Sequence, residues 1–438
     1  MASTYLTRTP SSAGNQKTWT WSAWIKRSKL STNQVIFGNY TAGNIRQYIS
    51  FDTNDKLFMY GQVSGSDKVQ CNTTRVFRDT NAWYHIVVAQ DTTQGTGSNR
   101  VKFYINGVQE TLSFTTTPSQ DDDIAINDNG LHLIGAEDNA GNSKFDGLMS
   151  HVHFCDGTAL APTVFGSTDS TTGEWKINTS PSFTLGTNGF TVLKDGNTIT
   201  DQSSNSNNFT LASCTLTKTE DNPSNIFATF NEFSTKQSYS TTFTNGNTRF
   251  RHSGSEVHNS CRSTLGFKSG KYYAEFKIVS SVSNSKIRIG ISSLNTLVEP
   301  DTTVTDLNGS GYQDNGKIYR EGYSNLTGLT TFTQNDIIGV ACDFDNKMIY
   351  WYKNGTLLNG TGYAFADNTG IAKGDFYGFA VSGYQTSGDD VVVDANFGNG
   401  YFQTTAVSSA GTNASGIGIF EYDVPTGYTA LSTKGLNL

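Results

Sequence analysis

The sequence predicts an all-β protein made of two antiparallel β-sandwiches joined by a β-containing connector, and three observations carry that prediction. The first is composition: only 16% of the residues are charged, yet mean hydropathy is −0.41, so polarity comes from Ser, Thr, Asn, Gln and Gly. Aromatics reach 12%, with 27 Phe and 20 Tyr, which suits pleated, half-buried surfaces and argues against disorder. The second is a succession of short alternating runs separated by Gly, Asn and Asp turns. The third is one order of elements (strand, turn, strand, Asn-Gly hairpin) that occurs twice, at Trp83–Gln109 and Asn335–Leu358.

The first alternating run is Thr18–Lys26. It places Trp19, Trp21, Ala23 and Ile25 on one face, and Thr18, Thr20, Ser22 and Trp24 on the other. Trp24 therefore needs cover outside its own core, from an intramolecular segment such as the connector or from a neighbouring subunit. Strands are expected next at 34–37, 47–51, 56–60 and 83–90. Val101–Gln109 follows with Asn106-Gly107 as a hairpin turn, and 131–134 and 145–154 complete the set. Residues 1–167 form this first sandwich. The pattern weakens over 168–232, where the polar run Asp201–Asn208 lies between Phe190–Leu193 and Phe209–Leu211, so this stretch is expected to be the connector. The second sandwich, 233–438, shows strands at 271–278, 286–291, 335–344 and 348–357. No segment carries a convincing helical period.

Length is consistent with two to four domains. A net charge of −7 and a pI near 5.4 argue against nucleic acid or an anionic membrane as partner. No run is long and apolar enough to span a bilayer, and the first residues lack the pattern of a signal peptide. Cys71, Cys155, Cys214, Cys261 and Cys342 are odd in number and scattered, so all five are expected to be reduced.

Several segments resemble known families. Trp19–Lys26, Trp83-Tyr-His85, Phe103–Gly107 and Phe145–His153 resemble the laminin-G-like, concanavalin A-type lectin fold. Gly270–Ile278, Ile289–Ser292, Asp336–Tyr352 with Asn354-Gly355, and Phe376–Ala380 resemble a SPRY domain. The pair resembles the tandem modules of virion structural proteins of marine tailed phages. Tyr5–Pro10, Phe154–Gly157, Thr172–Trp175, Asn205–Phe209, Asp221–Asn225 and Tyr422–Leu431 carry that likeness. The resemblance implies two concanavalin-like sandwiches in a non-enzymatic virion surface protein. Such a protein would be a short projecting appendage of tail-fibre or tip type that binds a host-surface glycan or protein. The alternative it implies is a capsid-decorating or fibre-base adaptor. Its partners would be other virion proteins and further copies of itself, a trimer being favoured; it would bind no nucleic acid and enter no membrane.

Candidate chemistry is sparse. A glycosidase needs two carboxylates flanking the scissile bond, and the Glu-x-Asp-x-x-Glu strand pattern is absent. Asp343 and Asp345 flank a turn, and Asp121–Asp123 lie in a loop. His151 and His153 are spaced to share a strand face but lack an evident third ligand for zinc. No cofactor is expected. Asp138 and Asp146, with Glu137 and Asp121–Asp123, are the residues that could supply oxygens to calcium, which needs six to eight. Binding is assigned instead to tyrosines in Gly/Asn/Ser-rich loops of the second sandwich, Tyr312, Tyr323, Tyr363 and Tyr384. Tyr40, Arg46 and the Asp91–Arg100 loop are the counterparts in the first.

Overall fold

A computed structural model describes residues 4–235, 240–253, 258–280, 285–294, 309–320, 324–365, 376–385 and 390–438. The chain divides into two compact units, Met1–Lys218 and Thr219–Leu438. Both are built from strands; among the described residues the only helical elements are 3-10 turns, and no helix is long and apolar enough to cross a membrane.

The first unit opens with β1 (Tyr5–Arg8), β2 (Thr18–Arg27), β3 (Gln34–Ala42), β4 (Ile45–Phe51), β5 (Leu57–Val63) and β6 (Ser66–Thr73). It continues with β7 (Trp83–Asp91), β8 (Val101–Ile105), β9 (Val108–Gln109), β10 (Leu112–Thr116), β11 (Leu131–Ile134) and β12 (Gly147–Asp156). Short strands β13 (Gly166–Thr168), β14 (Trp175–Ile177), β15 (Phe190–Val192) and β16 (Thr210–Ala212) follow. An eight-stranded sheet, β10-β6-β5-β4-β3-β11-β1-β16, packs on a six-stranded one, β15-β12-β2-β7-β8-β9. Alternation along β2 drives this packing: Trp19, Trp21, Ala23 and Ile25 are fully buried, and Trp21 stacks on Phe37 of the opposite sheet at 5.8 Å.

Trp24 is covered from within the chain. It stacks on His85 at 5.0 Å, and His85 stacks in turn on Trp175 at 5.9 Å. The Trp175 indole donates to His85 Nδ1 at 3.0 Å, which leaves Nε2–H to donate to Ser22 Oγ at 2.9 Å. Phe165 and Phe183 pack likewise on His153, at 5.6 and 5.8 Å. The polar-looking segment after residue 158 is therefore the outer cover of the six-stranded sheet.

Residues 168–232, expected as a connector with short strands, contribute strands to the first unit and pass into the second. β15 extends the six-stranded sheet from β12, and β16 extends the eight-stranded sheet from β1. Phe190 and Phe209 join the first core, in ring contact at 4.8 Å. The Asp201–Asn208 run is a hydrogen-bonded clasp: Asn205 and Asn207 Nδ2 both donate to Gly189 O, at 3.0 and 2.8 Å. Asp201 caps the amides of Thr191, Ser203 and Asn207. Phe227 and Phe230 belong instead to cores of the second unit.

That unit contains β17 (Thr241–Thr244), β18 (Arg249–His252), β19 (His258–Arg262), β20 (Lys271–Ile278), β21 (Ser285–Ser293), β22 (Gly309–Gln313), β23 (Ile318–Tyr319) and β24 (Ile337–Asp343). Then come β25 (Met348–Lys353), β26 (Thr356–Leu357), β27 (Tyr363–Ala364), β28 (Tyr377–Gln385), β29 (Val391–Asn396), β30 (Tyr401–Phe402), β31 (Thr405–Ala406) and β32 (Thr429–Ala430). A nine-stranded sheet built on β17-β18-β29-β20-β24-β25-β26 packs on a five-stranded one, β19-β28-β21-β22-β23. Phe276, Ile338 and Trp351 fill the space between them. The C-terminal segment crosses the other face of the nine-stranded sheet. There Phe420, Val424 and Tyr428 bury Tyr273 and Ala341, and β32 pairs in parallel with β20.

Candidate functional site

The eight-stranded sheet has one face in the core and one outside. Along β4, Gln47, Ile49 and Phe51 point inward and Arg46, Tyr48 and Ser50 outward; along β5, Leu57 and Met59 point inward and Phe58, Tyr60 and Gln62 outward. Register aligns the outward residues in rows: Gln70, Tyr60, Tyr48 and Gly38 in one; Asp67, Gln62, Arg46 and Tyr40 in the next. Three rings converge, Tyr48 lying 5.7 Å from Tyr60 and 6.4 Å from Phe58. Gly38 admits no side chain beside them, since a Cβ there would fall 2.7 Å from that of Tyr48.

Polar groups frame the rings. Arg46 Nη1 donates to Glu137 Oε1 at 3.3 Å and its guanidinium lies 5.4 Å from the Tyr60 ring centre. Glu137 also accepts from Ser143 Oγ at 2.9 Å. The Tyr60 hydroxyl donates to Asp67 at 2.6 Å, and Gln62 donates to the same oxygen at 3.1 Å. Burial, with Glu137 nearby, pushes the Tyr48 phenol up to about 12. The surface thus offers aromatic faces beside fixed donors and acceptors, with no nucleophile activated by a base.

Two of the anticipated residues, Tyr40 and Arg46, are cross-strand partners at this site. Tyr48, Phe58 and Tyr60 were missed, although alternation exposes them: they hold the phase opposite Ile49, Phe51, Leu57 and Met59. In the second unit the expectation of exposed loop tyrosines is corrected. Tyr312 is fully buried on β22 against Phe332, and Tyr363 is buried against Trp351, because the small residues around each let its strand lie over the core. Tyr384 is half-buried on β28 with Lys286 4.8 Å from its ring centre, and Tyr323 lies outside the described residues.

Asp138 closes the turn after β11, both its oxygens accepting from Asn142. Asp146 lies beside β2, its carbonyl accepting from the Ser28 amide. A bulge between Ser150 and His153, with His151 at φ +50°, breaks the shared strand face expected for His151 and His153. Burial lowers His153 to about 3 and His151 to about 4. Among the described residues no group of three or more His, Cys, Asp or Glu is placed to hold a metal ion. Asp343 is engaged by Lys271 at 2.9 Å and by Asn346, and Asp345 caps Gly270. Glu275 is fully buried beneath the C-terminal segment and committed to four donors.

Comparison with known proteins matches residues 2–164 to the concanavalin A-like lectin/glucanases superfamily and residues 271–394 to the SPRY domain family. No curated protein matches the chain. Among solved structures, similarity is found to the SPRY domain of human HERC1, at 24% identity over 38% of this chain and 96% of that one, TM-score 0.30. A putative carbohydrate binding protein from Bacteroides ovatus matches at 17% identity over 50% of this chain and 58% of that one, TM-score 0.34. A heptameric SAP-like pentraxin from Limulus polyphemus matches at 18% identity over 36% and 71%, TM-score 0.28. The chain therefore carries, in tandem, a domain of the concanavalin A-like lectin superfamily and a SPRY domain.

Proposed function

We propose that this protein is a non-enzymatic binding component of a phage virion surface, a short projecting appendage whose lectin-like domain holds a host-surface glycan. One observation carries the binding reading: the outward face of the eight-stranded sheet sets Tyr48, Phe58 and Tyr60 beside Arg46, Glu137, Gln62 and Asp67. Rings of this kind pack on the apolar faces of sugars, while guanidinium, amide and carboxylate groups meet hydroxyls. What supports the virion assignment is the sequence resemblance, from Tyr5–Pro10 at one end to Tyr422–Leu431 at the other. Assembly with other virion proteins, and with further copies of the chain, belongs to the same reading.

The carboxylates argue for binding without turnover. Asp343 and Asp345 hold turns, and Glu275 is enclosed. On an array of bacterial surface polysaccharides, the full chain is expected to retain a defined subset and release no sugar. Tyr60→Ala and Tyr48→Ala are each expected to weaken retention at least tenfold, the loss of roughly 1.4 kcal/mol or more, while Tyr384→Ala leaves it unchanged. Retention unaffected by both first-domain variants would remove this face from the function. Incorporation into particles with no retention of any glycan would favour the capsid-decorating or adaptor role.

A further inference from the structure

The outer face of the six-stranded sheet holds one amine where a charged group is seldom found. Lys26 is only 2% exposed, between the indole-bearing positions Trp24, two residues back on β2, and Trp83, its cross-strand partner on β7. Lysine is almost never buried this far unless another polar group meets it. Here Nζ donates to the side-chain carbonyl of Asn81 at 3.3 Å. Asn81 is itself fixed, its backbone amide donating to Asp79 Oδ1 at 2.8 Å.

The third group comes from the strand on the other side. β12 pairs with β2 through Gly147↔Arg27, Leu148↔Lys26 and Met149↔Ile25. Phe145, Met149 and Ile25 face the core. Alternation then places Leu148 and Asp146 on the outer face with Lys26, and the Asp146 carbonyl accepts from Ser28 N at 3.0 Å, continuing the ladder. Asp146 is thus a diagonal neighbour of Lys26, within reach of a long side chain. A carboxylate just before β12, a lysine amine on β2 and an asparagine amide just before β7 thus adjoin one another, with the lysine in the middle.

We propose that Lys26 and Asn81 become joined by an intramolecular amide, with Asp146 as the proton carrier. The Lys26 ammonium passes one proton to Asp146, and the freed Nζ lone pair attacks Cγ of Asn81. The tetrahedral adduct takes a proton on its amide nitrogen through Asp146 and expels ammonia, which leaves as ammonium with the remaining proton. One C–N bond forms and one breaks, and no oxidant or cofactor is required. Fixed proximity supplies what such an attack lacks in water. The product ties β2 to the segment leading into β7, locking one end of these two central strands through a covalent bond that neither reductant nor chelator opens.

Intact-mass spectrometry of the purified full chain tests this. The wild-type chain is expected to be lighter than its sequence by one ammonia, and a tryptic digest is expected to contain a branched peptide joining the Lys26 and Asn81 segments. Asn81→Ala and Lys26→Arg are expected at full sequence mass with no branched peptide. Asp146→Ala, with circular dichroism like wild type, is expected to remain unjoined. Full mass for the wild-type chain after prolonged incubation overturns the proposal. So does loss of ammonia without the branched peptide, since Asn-Gly sites also lose ammonia when they cyclise. A joined product in Asp146→Ala removes Asp146 from the chemistry and overturns the step as written.

Discussion

Asp55→Asn is expected to destabilise the first unit by about 3–5 kcal/mol, the penalty of leaving a buried charge without its partner. Arg27 and Asp55 are 0% and 1% exposed and meet at 3.1 Å. Arg27 also donates to Phe77 O at 2.6 Å and lies 4.2 Å from the Phe51 ring centre, deep in the core. Asp55 is met further by Arg78 at 3.0 Å and by the Ser31 amide at 2.7 Å. Asn is the informative replacement, because position 55 has φ +63°, which Asn tolerates and Ala does not. Burial alone would push the Asp55 carboxyl up, but the Ser31 amide, Arg78 and Arg27 outweigh it and hold the group below the usual carboxylate range. A lowered folded value means that the stabilisation is complete above the unfolded value of about 4 and is lost as pH falls through the folded one. Urea titrations at pH 7 and pH 3 should show wild type losing more stability than the variant. A variant within about 1 kcal/mol of wild type at pH 7 would mean that Arg27 finds another partner.

The strands most legible in the sequence were those with one apolar and one polar phase. Thr18–Lys26 gave both the core residues and the problem of Trp24. Asn106-Gly107 and Asn354-Gly355 gave hairpins whose central residues have φ of 49° and 80°, and 49° and 78°. β6 and β10 were not legible: Ser66–Thr73 offers only Val69 and Cys71 as apolar inward residues, and the β10 side chains are at best half-buried at the sheet edge. Cover was also hidden. Segment 158–184 buries its aromatics on histidines, a pairing that hydropathy alone does not reveal.

At the site the difficulty was of another kind. Exposure was read from the company a tyrosine keeps, and Gly309-Ser310-Gly311 beside Tyr312 looked like a loop. Those small residues are what allow β22 to pack closely on β21, leaving Tyr312 inside. Tyr48 and Tyr60 sit between inward apolar residues on strands expected at 47–51 and 56–60, and the strand period assigns them to the opposite, outward face. Asp201–Asn208 hides its role from the polar side. The aromatics on either side of that polar run called for burial, but composition does not show that its asparagines form a clasp, their amides meeting backbone carbonyls.

The second unit is expected to lose stability as pH rises from about 4.5 through 7, and Glu275 is the reason. Its carboxyl is fully buried between β20 and the C-terminal segment. Oε1 accepts from Tyr422 N at 2.8 Å and from the Tyr273 hydroxyl at 3.3 Å; Oε2 accepts from Glu421 N at 2.8 Å and from Asn396 Nδ2 at 3.3 Å. Burial pushes the carboxyl up to about 7 against the pull of those four donors. A folded value raised above the unfolded one gives stability that is complete below the unfolded value and is lost as pH rises through the folded one. Ionising Glu275 in place costs roughly 3 kcal/mol at pH 8 relative to pH 4, from a shift of about 2.5 units. Asp314, which burial raises to about 6, adds to the same trend and is untouched by change at 275. Glu275→Gln removes the titration and leaves two donors facing an amide NH2, so its stability should be lower at pH 5 and its slope between pH 5 and 8 clearly shallower. Calorimetry of the full chain at both pH values reads this out, with the second-unit transition identified as the one that Asp55→Asn does not move. A slope unchanged in Glu275→Gln would assign the pH response to other groups and leave Glu275 ionised, as a plain anchor of the C-terminal segment.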